Sequence, residues 1–395
     1  MQTKLIQQNI PSGWKEKGLG GFLSISKGKL PKKTYEIADE NSVPYLSIKH
    51  LDGNEFKYAH KSDGVIADKN DLLVVADGSG SGRMYRGHHG LVSSTFLKIS
   101  SKSQNELLND YLEVLFSHLD FTKSRFRKGG AIPHFDFKQL KDVDILLPPI
   151  KEQQKIAEIL RTVDEDIAKT QEVIGATEKL KRGLSRQLFT RGVNDRIEEL
   201  MLGNISTVTS SKRIMRSEYV ESGIPFYRSK EVIEKAKGIK HDSVFYISKE
   251  RYKEIEQKFG APHIGDILMT AVGTIGVIYL VDEKEFYFKD GNLLWIKDIN
   301  KSLNKSYLKY YMNSEIFQKR VLGTAIGSNQ KALTIEKVEK VIVPIPKLQE
   351  QQKIVDILSA VDEKISVNKK LKTKLTLLKK GLMQDLLSGK VRTNI

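Results

Sequence analysis

The chain contains one stretch twice, and this constrains its fold more than any other feature. Glu152-Gln153-Gln154-Lys155-Ile156 returns as Glu350-Gln351-Gln352-Lys353-Ile354, and from there the copies align without a gap. Ile159-Leu160 matches Ile357-Leu358, and Val163-Asp164-Glu165 matches Val361-Asp362-Glu363. Leu180-Lys181, Gly183-Leu184 and Leu188 match Leu378-Lys379, Gly381-Leu382 and Leu386. Roughly 16 of about 37 positions are identical where chance gives about two, so this is an internal repeat and the chain is two halves.

Both copies read as long amphipathic helices. The first carries Ile156, Leu160, Val163 and Ile167 at 4-3-4 spacing, breaks, and resumes through Val173, Leu180, Leu184 and Leu188. The second runs Ile354, Leu358, Val361 and Ile365, then Leu371, Leu375, Leu378, Leu382 and Leu386. Pro148, Pro149, Pro344 and Pro346 lie just upstream, where a missing amide proton costs a helix nothing. About 37 residues at 1.5 Å each make a rod of roughly 55 Å, and a rod with a single apolar seam needs a partner. The expected partner is the other copy, packed antiparallel as a coiled-coil spacer with one globular half at each end. The alternative is two surface helices, each docked on its own domain, although such helices usually run about 8–20 residues. On the first reading Glu152, Gln153, Gln154, Ile156, Leu160 and Val163, with Glu350, Gln351, Gln352, Ile354, Leu358 and Val361, form the spacer and partner-binding surface.

A length of 395 residues provides two or three domains with proper cores. The 39% apolar share includes no run approaching a membrane span, and Met1–Ile10 lacks the apolar core of a signal peptide, so a soluble, non-membrane protein is expected. The absence of cysteine excludes disulfides and thiolate metal sites and fits a cytoplasmic home. Lys and Arg number 65 against 49 acids, a formal net charge of +16 that suits a polyanionic partner.

Residues 1–145 read as a mixed unit of short strands with one helix. Pro11-Ser12-Gly13-Trp14 is a turn before a buried aromatic, and strands are expected at Gly21–Ser26, Val43–Ile48, Asp71–Val75 and Leu91–Ile99, followed by a helix from Asn105 to Leu119. Residues 196–342 repeat the plan more loosely. Leu202-Gly203-Asn204-Ile205 answers Leu19-Gly20-Gly21-Phe22, Ile224-Pro225-Phe226 answers Val43-Pro44-Tyr45, and Gly265–Leu268 with Gly273 answers Asp71–Leu73 with Gly78. A late helix is expected over Leu303–Val321. The remaining segments, 146–195 and 343–395, hold the two long helices. The fold class is therefore α+β, two pseudo-repeated mixed domains separated by two long antiparallel helices. A common scaffold with divergent loops fits one kind of task performed on two targets.

Catalytic motifs are scarce. Gly78-Ser79-Gly80-Ser81-Gly82 follows a strand, but Arg83–Gly90 reads as loop with no helix start, and the acidic residue that a dinucleotide site needs about 20 residues on is missing. No P-loop lysine and no Asn-Pro-Pro-Tyr-like tetrad is present, and the His88-His89 pair has no third ligand at a useful spacing. No cofactor, metal or catalytic residue is assigned. Basic side chains are abundant instead: Arg83, Arg86 and His88 beside the glycines, then Lys123, Arg125, Arg127 and Lys128, and in the second half Lys212, Arg213, Arg216, Arg228 and Lys230. Asn329 and Gln330, next to Lys331, add side chains that can pair with adenine edges. Phosphate contact is the commoner role for any one of these residues.

The doubled Pro-x-x-x-Glu-Gln-Gln-Lys-Ile run, with its downstream Gly-Leu and Leu188 or Leu386, resembles the specificity subunits of type I restriction-modification systems. The likeness spans the whole chain, from Pro11-Ser12-Gly13-Trp14 to Gln384-Asp385-Leu386-Leu387-Ser388-Gly389-Lys390-Val391. It implies two target-recognition domains, each reading one half of a bipartite duplex DNA site. It also implies spacer helices that set the unspecified gap and dock two methyltransferase subunits, with motor-nuclease subunits joining the full complex. Catalysis would then belong to the partners. The second domain opens on Ile197-Glu198-Glu199-Leu200 with no tryptophan, a departure that weakens the expectation of a first strand there. The competing reading is a duplicated, non-catalytic adaptor whose helices bind proteins without reading DNA.

Overall fold

The computed structural model describes residues 10–119, 126–129, 133–191, 197–239, 244–323 and 332–393. The chain divides into two compact units, one of residues 1–170 with 371–395 and the other of residues 171–370. Each long helix therefore contributes part of its length to each unit. The first spans Ile150–Arg191 and the second Leu348–Leu387. Among the described residues no helix is long and apolar enough to cross a membrane.

In the first unit, Lys15–Gly18 pairs antiparallel with Asp144–Leu147, placing Trp14 beside the start of the long helix. An antiparallel four-stranded sheet follows the order Leu23–Lys27, Phe96–Ser101, Leu72–Val75, Met84–Tyr85. A five-stranded sheet carries Ser42–Leu46 parallel to Gly90–Val92. Strand Leu72–Val75 is buried on both faces, and its period of two sorts its side chains. Leu72 and Val74 join Leu97, Ile99 and the helix Asn109–Leu119 in one core, while Leu73 and Val75 join Leu46, Val92 and Phe96 in another.

The second unit repeats this arrangement. Glu198–Met201 pairs with Ile342–Ile345, so the first strand forms there without a tryptophan. Ile267–Thr270 lies between Leu293–Lys297 and Ile278–Leu280, with Ile267 and Met269 facing the helix-bearing core and Leu268 facing Trp295 and Tyr279. Two expected elements are each split in two. Leu91–Ile99 becomes separate strands on different sheets, because the chain turns at Ser93, whose carbonyl accepts from Phe96 N at 3.0 Å. Leu303–Val321 becomes helices Lys305–Met312 and Glu315–Gly323, divided at Asn313-Ser314.

The helices pack against each other antiparallel within each unit. In the first unit Lys379 pairs with Asp164 at 2.6 Å; in the second, Lys181 pairs with Asp362 at 2.6 Å and Lys369 with Glu178 at 2.7 Å. Asp164 and Asp362 are repeat equivalents, as are Lys181 and Lys379, so the same ion pair forms twice with the helices exchanging roles. The helix ends also enter the domain cores: Ile156, Leu160 and Leu386 in the first unit, and Ile354, Leu358 and Phe189 in the second.

The middle of the seam differs from expectation. Val173 and Leu180 are 40% and 54% exposed, and Leu371 and Leu378 are 44% and 51% exposed. The buried line continues instead through Thr170, Ile174 and Thr177, which keep the heptad phase of Ile156, Leu160, Val163 and Ile167. Each threonine hydroxyl donates to a carbonyl one turn back, Thr170 to Asp166 and Thr177 to Val173, both at 2.7 Å, and so hides its polarity. The seam does not break.

Candidate nucleic-acid interface

The glycine-rich segment is the tight turn of a hairpin between Leu72–Val75 and Met84–Tyr85, so a strand follows it and no helix receives a phosphate there. Ser81 N donates to Gly78 O, Arg83 N to Gly80 O and Gly82 N to Val75 O. Gly78 at φ 98° and Gly82 at φ 87° adopt a backbone that other residues rarely take. The turn is buttressed from outside by Arg127, which donates from Nε to Ser81 O at 3.0 Å and from Nη2 to Ser81 O and Ser79 O.

Several basic residues expected to face DNA are held by their own chain. Arg86 is only 13% exposed and is gripped by Asp110 and Glu113, the latter at 2.6 Å. Asp110 also takes Arg161 at 2.6 Å; burial pushes its carboxyl up, and the two guanidinium groups more than reverse this, leaving it below its ordinary value. Arg228 lies over Phe245 and pairs through two nitrogens with fully buried Glu231. Arg86, Arg127 and Arg228 thus each hold a turn or helix of their own unit.

Other candidates are open to solvent. Arg83 is 55% exposed, tethered to Asp52 and stacked over Tyr85. Lys128 pairs with Asp136 yet stays exposed, and Lys212, Arg213, Arg216 and Lys230 line the surface of the second unit. Arg213 touches Asp290 at 3.0 Å, and Lys212 lies over Phe259. His88 is half-buried near His50, which is held below its ordinary pKa by burial and then by His88 itself. His89 contacts Asp68 instead. Lys123, Arg125, Asn329, Gln330 and Lys331 lie outside the described residues.

Of the helix residues, Glu152 and Gln153 point into their own unit. Gln153 is fully buried, accepting from Leu108 N and donating to Glu106 O and Pro148 O. Gln351 does the same with Asn304 N, Ser302 O and Pro346 O, and Gln352 accepts from Asn304 Nδ2. Gln154 is exposed. Glu152 accepts from Trp14 Nε1 at 2.9 Å and receives Arg392 on both oxygens at 2.7 and 2.8 Å. Burial pushes the Glu152 carboxyl up, and Arg392 with Trp14 brings it below the ordinary glutamate value.

Sequence reasoning missed one cluster. Asp77, two residues past the end of the strand Leu72–Val75, binds Lys27 at 3.1 Å and His134 at 2.7 Å. Its place in the second unit is taken by Val272, which bridges to Ala332 as Asp77 does to His134. Aligning Ala76-Asp77-Gly78 with Ala271-Val272-Gly273 would have drawn attention to it.

This fold is one α+β module built twice, each copy sharing both long helices. The family model for the type I restriction modification DNA specificity domain matches residues 11–174 and again 194–377, and the chain belongs to that family. It is 28% identical to the type I restriction enzyme MjaVIII specificity subunit of Methanocaldococcus jannaschii over 97% of this chain and 94% of that one. It is 21% identical to the EcoBI specificity subunit of Escherichia coli over 89% of this chain and 81% of that one. The crystal structure of the type I restriction-modification S subunit from M. genitalium shares the fold with TM-score 0.62 at 17% identity, covering 97% and 98% of the two chains.

Proposed function

We propose that this chain is the non-catalytic specificity subunit of a type I restriction-modification complex, in which residues 1–145 and 196–342 each read one half of a bipartite duplex DNA site. The observation that carries this reading is one framework built twice, with the same main-chain bonds and different polar groups at the tips of its strands. The +16 charge favours a polyanion, and exposed Arg83, Lys128, Lys212, Arg213, Arg216 and Lys230 serve as phosphate contacts. Methylation and cleavage fall to partner subunits in the cytoplasm, where the host DNA lies.

We infer the stoichiometry from the helices. Val173 and Leu180 are the repeat equivalents of Leu371 and Leu378, and all four are exposed. Each pair is seven residues apart, on one face of its helix, and leaves an apolar stripe uncovered in each unit. Two copies of one stripe accept two copies of one methyltransferase subunit, and motor-nuclease subunits join that assembly.

The test is to replace residues 1–145 with the equivalent part of a related subunit in cells supplying the methyltransferase, and to read the methylated motif genome-wide. One half-site changes while the other half and the gap persist. A swap that alters both halves together overturns two independent readers. Duplex binding by the purified complex also weakens steeply with salt; an affinity indifferent to salt favours the adaptor.

A further inference from the structure

The second unit holds a cleft of about 600 Å³ whose lining includes Ser229, Lys230, Lys237, Gly273, Thr274 and Asn292. Two of its polar groups lack partners. The Ser229 hydroxyl oxygen is buried without a hydrogen bond, and among the described residues the Asn292 side-chain amide has none either. The Asn292 main chain is anchored, its carbonyl accepting from Ala271 N at 2.8 Å and its N–H donating to Asp290 O at 2.9 Å. The amide is thus carried on a rigid strand entrance while its own donor and acceptor stay free. Gly273, at φ 77°, has no atom within 4 Å of where a Cβ would stand, so the turn beside the cleft opens outward. Lys237 is exposed, and Lys230 is 61% exposed and pairs at 3.7 Å with Glu234, so two cations and one carboxylate flank the opening.

The first unit has the same framework with other groups. Ala76 N donates to Thr95 O at 2.7 Å, which makes Thr95 the counterpart of Asn292. The Thr95 hydroxyl is already bonded to Ser93 at 2.7 Å. The pairing of Leu46 with Val92 and of Tyr227 with Phe288 makes Ile48 the counterpart of Ser229. Where Val272 meets Ala332 in the second unit, the first has the ionic cluster of Asp77, His134 and Lys27. A purely structural turn would not need its polar groups rewritten between two copies of one scaffold. A reader of two different half-sites would.

We infer that this cleft is a specificity-determining site of the second unit, in which the Asn292 amide reads the major-groove edge of an adenine, with Ser229 beside it and Lys230 and Lys237 on the flanking phosphates. The inference rests on the DNA-reading function proposed above. A carboxamide presents one donor and one acceptor side by side, which matches adenine N7 and N6. The Thr95 hydroxyl presents a single atom, and that atom is already bonded to Ser93.

The test uses the complex assembled with its methyltransferase subunits, carrying Asn292→Thr, the first unit's residue, or Asn292→Asp, which keeps the shape and removes the donor. The wild-type motif is read from the methylome. Duplexes bearing it, and duplexes with each base pair of the second half-site altered in turn, are then compared by competition binding. Both variants lose discrimination at one A·T pair of that half-site by roughly 10- to 100-fold and leave the other half-site and the gap unchanged. Asn292→Asp also gains relative affinity for cytosine at that position, since a carboxylate accepts from cytosine N4. A specific wild type whose two variants keep the full motif overturns the cleft assignment alone, as does relaxation confined to a G·C pair. A wild-type complex with no sequence preference overturns the DNA-reading function beneath it.

Discussion

The two units carry the same Glu-Gln-Gln motif at the start of a long helix, yet its two glutamates have different surroundings. Glu152 is closed in by Trp14 and by Arg392 near the end of the described chain, which also lies over the tryptophan ring and donates to Ser12 O. Among the described residues Glu350 has neither: Ile197 stands where the tryptophan would be, one carboxylate oxygen is buried without a hydrogen bond, and the other lies 3.7 Å from Lys353. The neighbouring glutamines, by contrast, make the same three bonds to the main chain in both units. The repeat thus preserves the joint between helix and domain, made by Gln153 and Gln351. Among the described residues the charged clamp is found in the first unit only.

The largest expected effect tests the shared part. Leu160→Asp or Leu358→Asp places an unpaired charge in a core and costs about 5 kcal/mol, enough to unfold the unit concerned. Limited proteolysis then shows the first unit lost in one variant and the second in the other. Normal assembly of both with the methyltransferase subunits would remove the helix pair from the scaffold. A step smaller, Gln153→Ala and Gln351→Ala each orphan buried main-chain groups at a cost of about 3 kcal/mol. Urea midpoints should shift alike for the two, and a difference beyond about 1 kcal/mol breaks the equivalence of the joints.

The clamp gives an unequal pair. Glu152→Gln removes a charged hydrogen-bond acceptor and costs about 1–2 kcal/mol, whereas Glu350→Gln is near neutral because its buried oxygen has no donor to lose. Since the Glu152 pKa is lowered on folding, its contribution is complete above the ordinary glutamate value and is lost as pH falls through the folded pKa. The difference between the variants therefore shrinks on acidification below the ordinary glutamate range. A difference that persists at low pH would mean that packing, not charge, is responsible.

The helices and the repeated strand plan were legible in the sequence because each rests on a pattern that extends over many residues. The phase of the mid-helix seam was not. Val173 and Leu180 look like seam residues by type, yet Thr170 and Thr177 take the buried positions, and a threonine that bonds back to its own helix is apolar enough to do so. The interface was less legible still. Arg86, Arg127 and Arg228 read as free cations, and for two of them the atoms that occupy them come from residues 24 to 48 positions away. Asn292 went unnoticed because its meaning lies in a framework shared with Thr95, and in the second hydrogen-bonding group that Thr95 lacks.

The seam alters the expected effect of an insertion into the helices. Four residues placed between Ile167 and Val173 add about 6 Å of helix and rotate the downstream segment by about 40°, a shift that coiled coils absorb as a local change in winding. Because the buried line runs on through Thr170 and Ile174, the added turn must itself join it, and the antiparallel partner now matters. The pairs Asp164–Lys379 and Asp362–Lys181 lie on opposite sides of the insertion. With one helix lengthened, both survive only if the added turn bulges or the second helix slips, so the unspecified gap of the target grows by about one base pair. With four residues also added to the second helix between Ile365 and Leu371, both pairs are retained and the full 6 Å is transmitted, about two base pairs at 3.4 Å each. Exposed ion pairs of this kind contribute less than about 1 kcal/mol, so the doubly lengthened protein should melt close to the parent. The measurement is the methylated motif of each variant, read genome-wide. Half-sites that keep their original separation in the doubly lengthened protein would mean that the methyltransferase subunits, and not these helices, measure the gap.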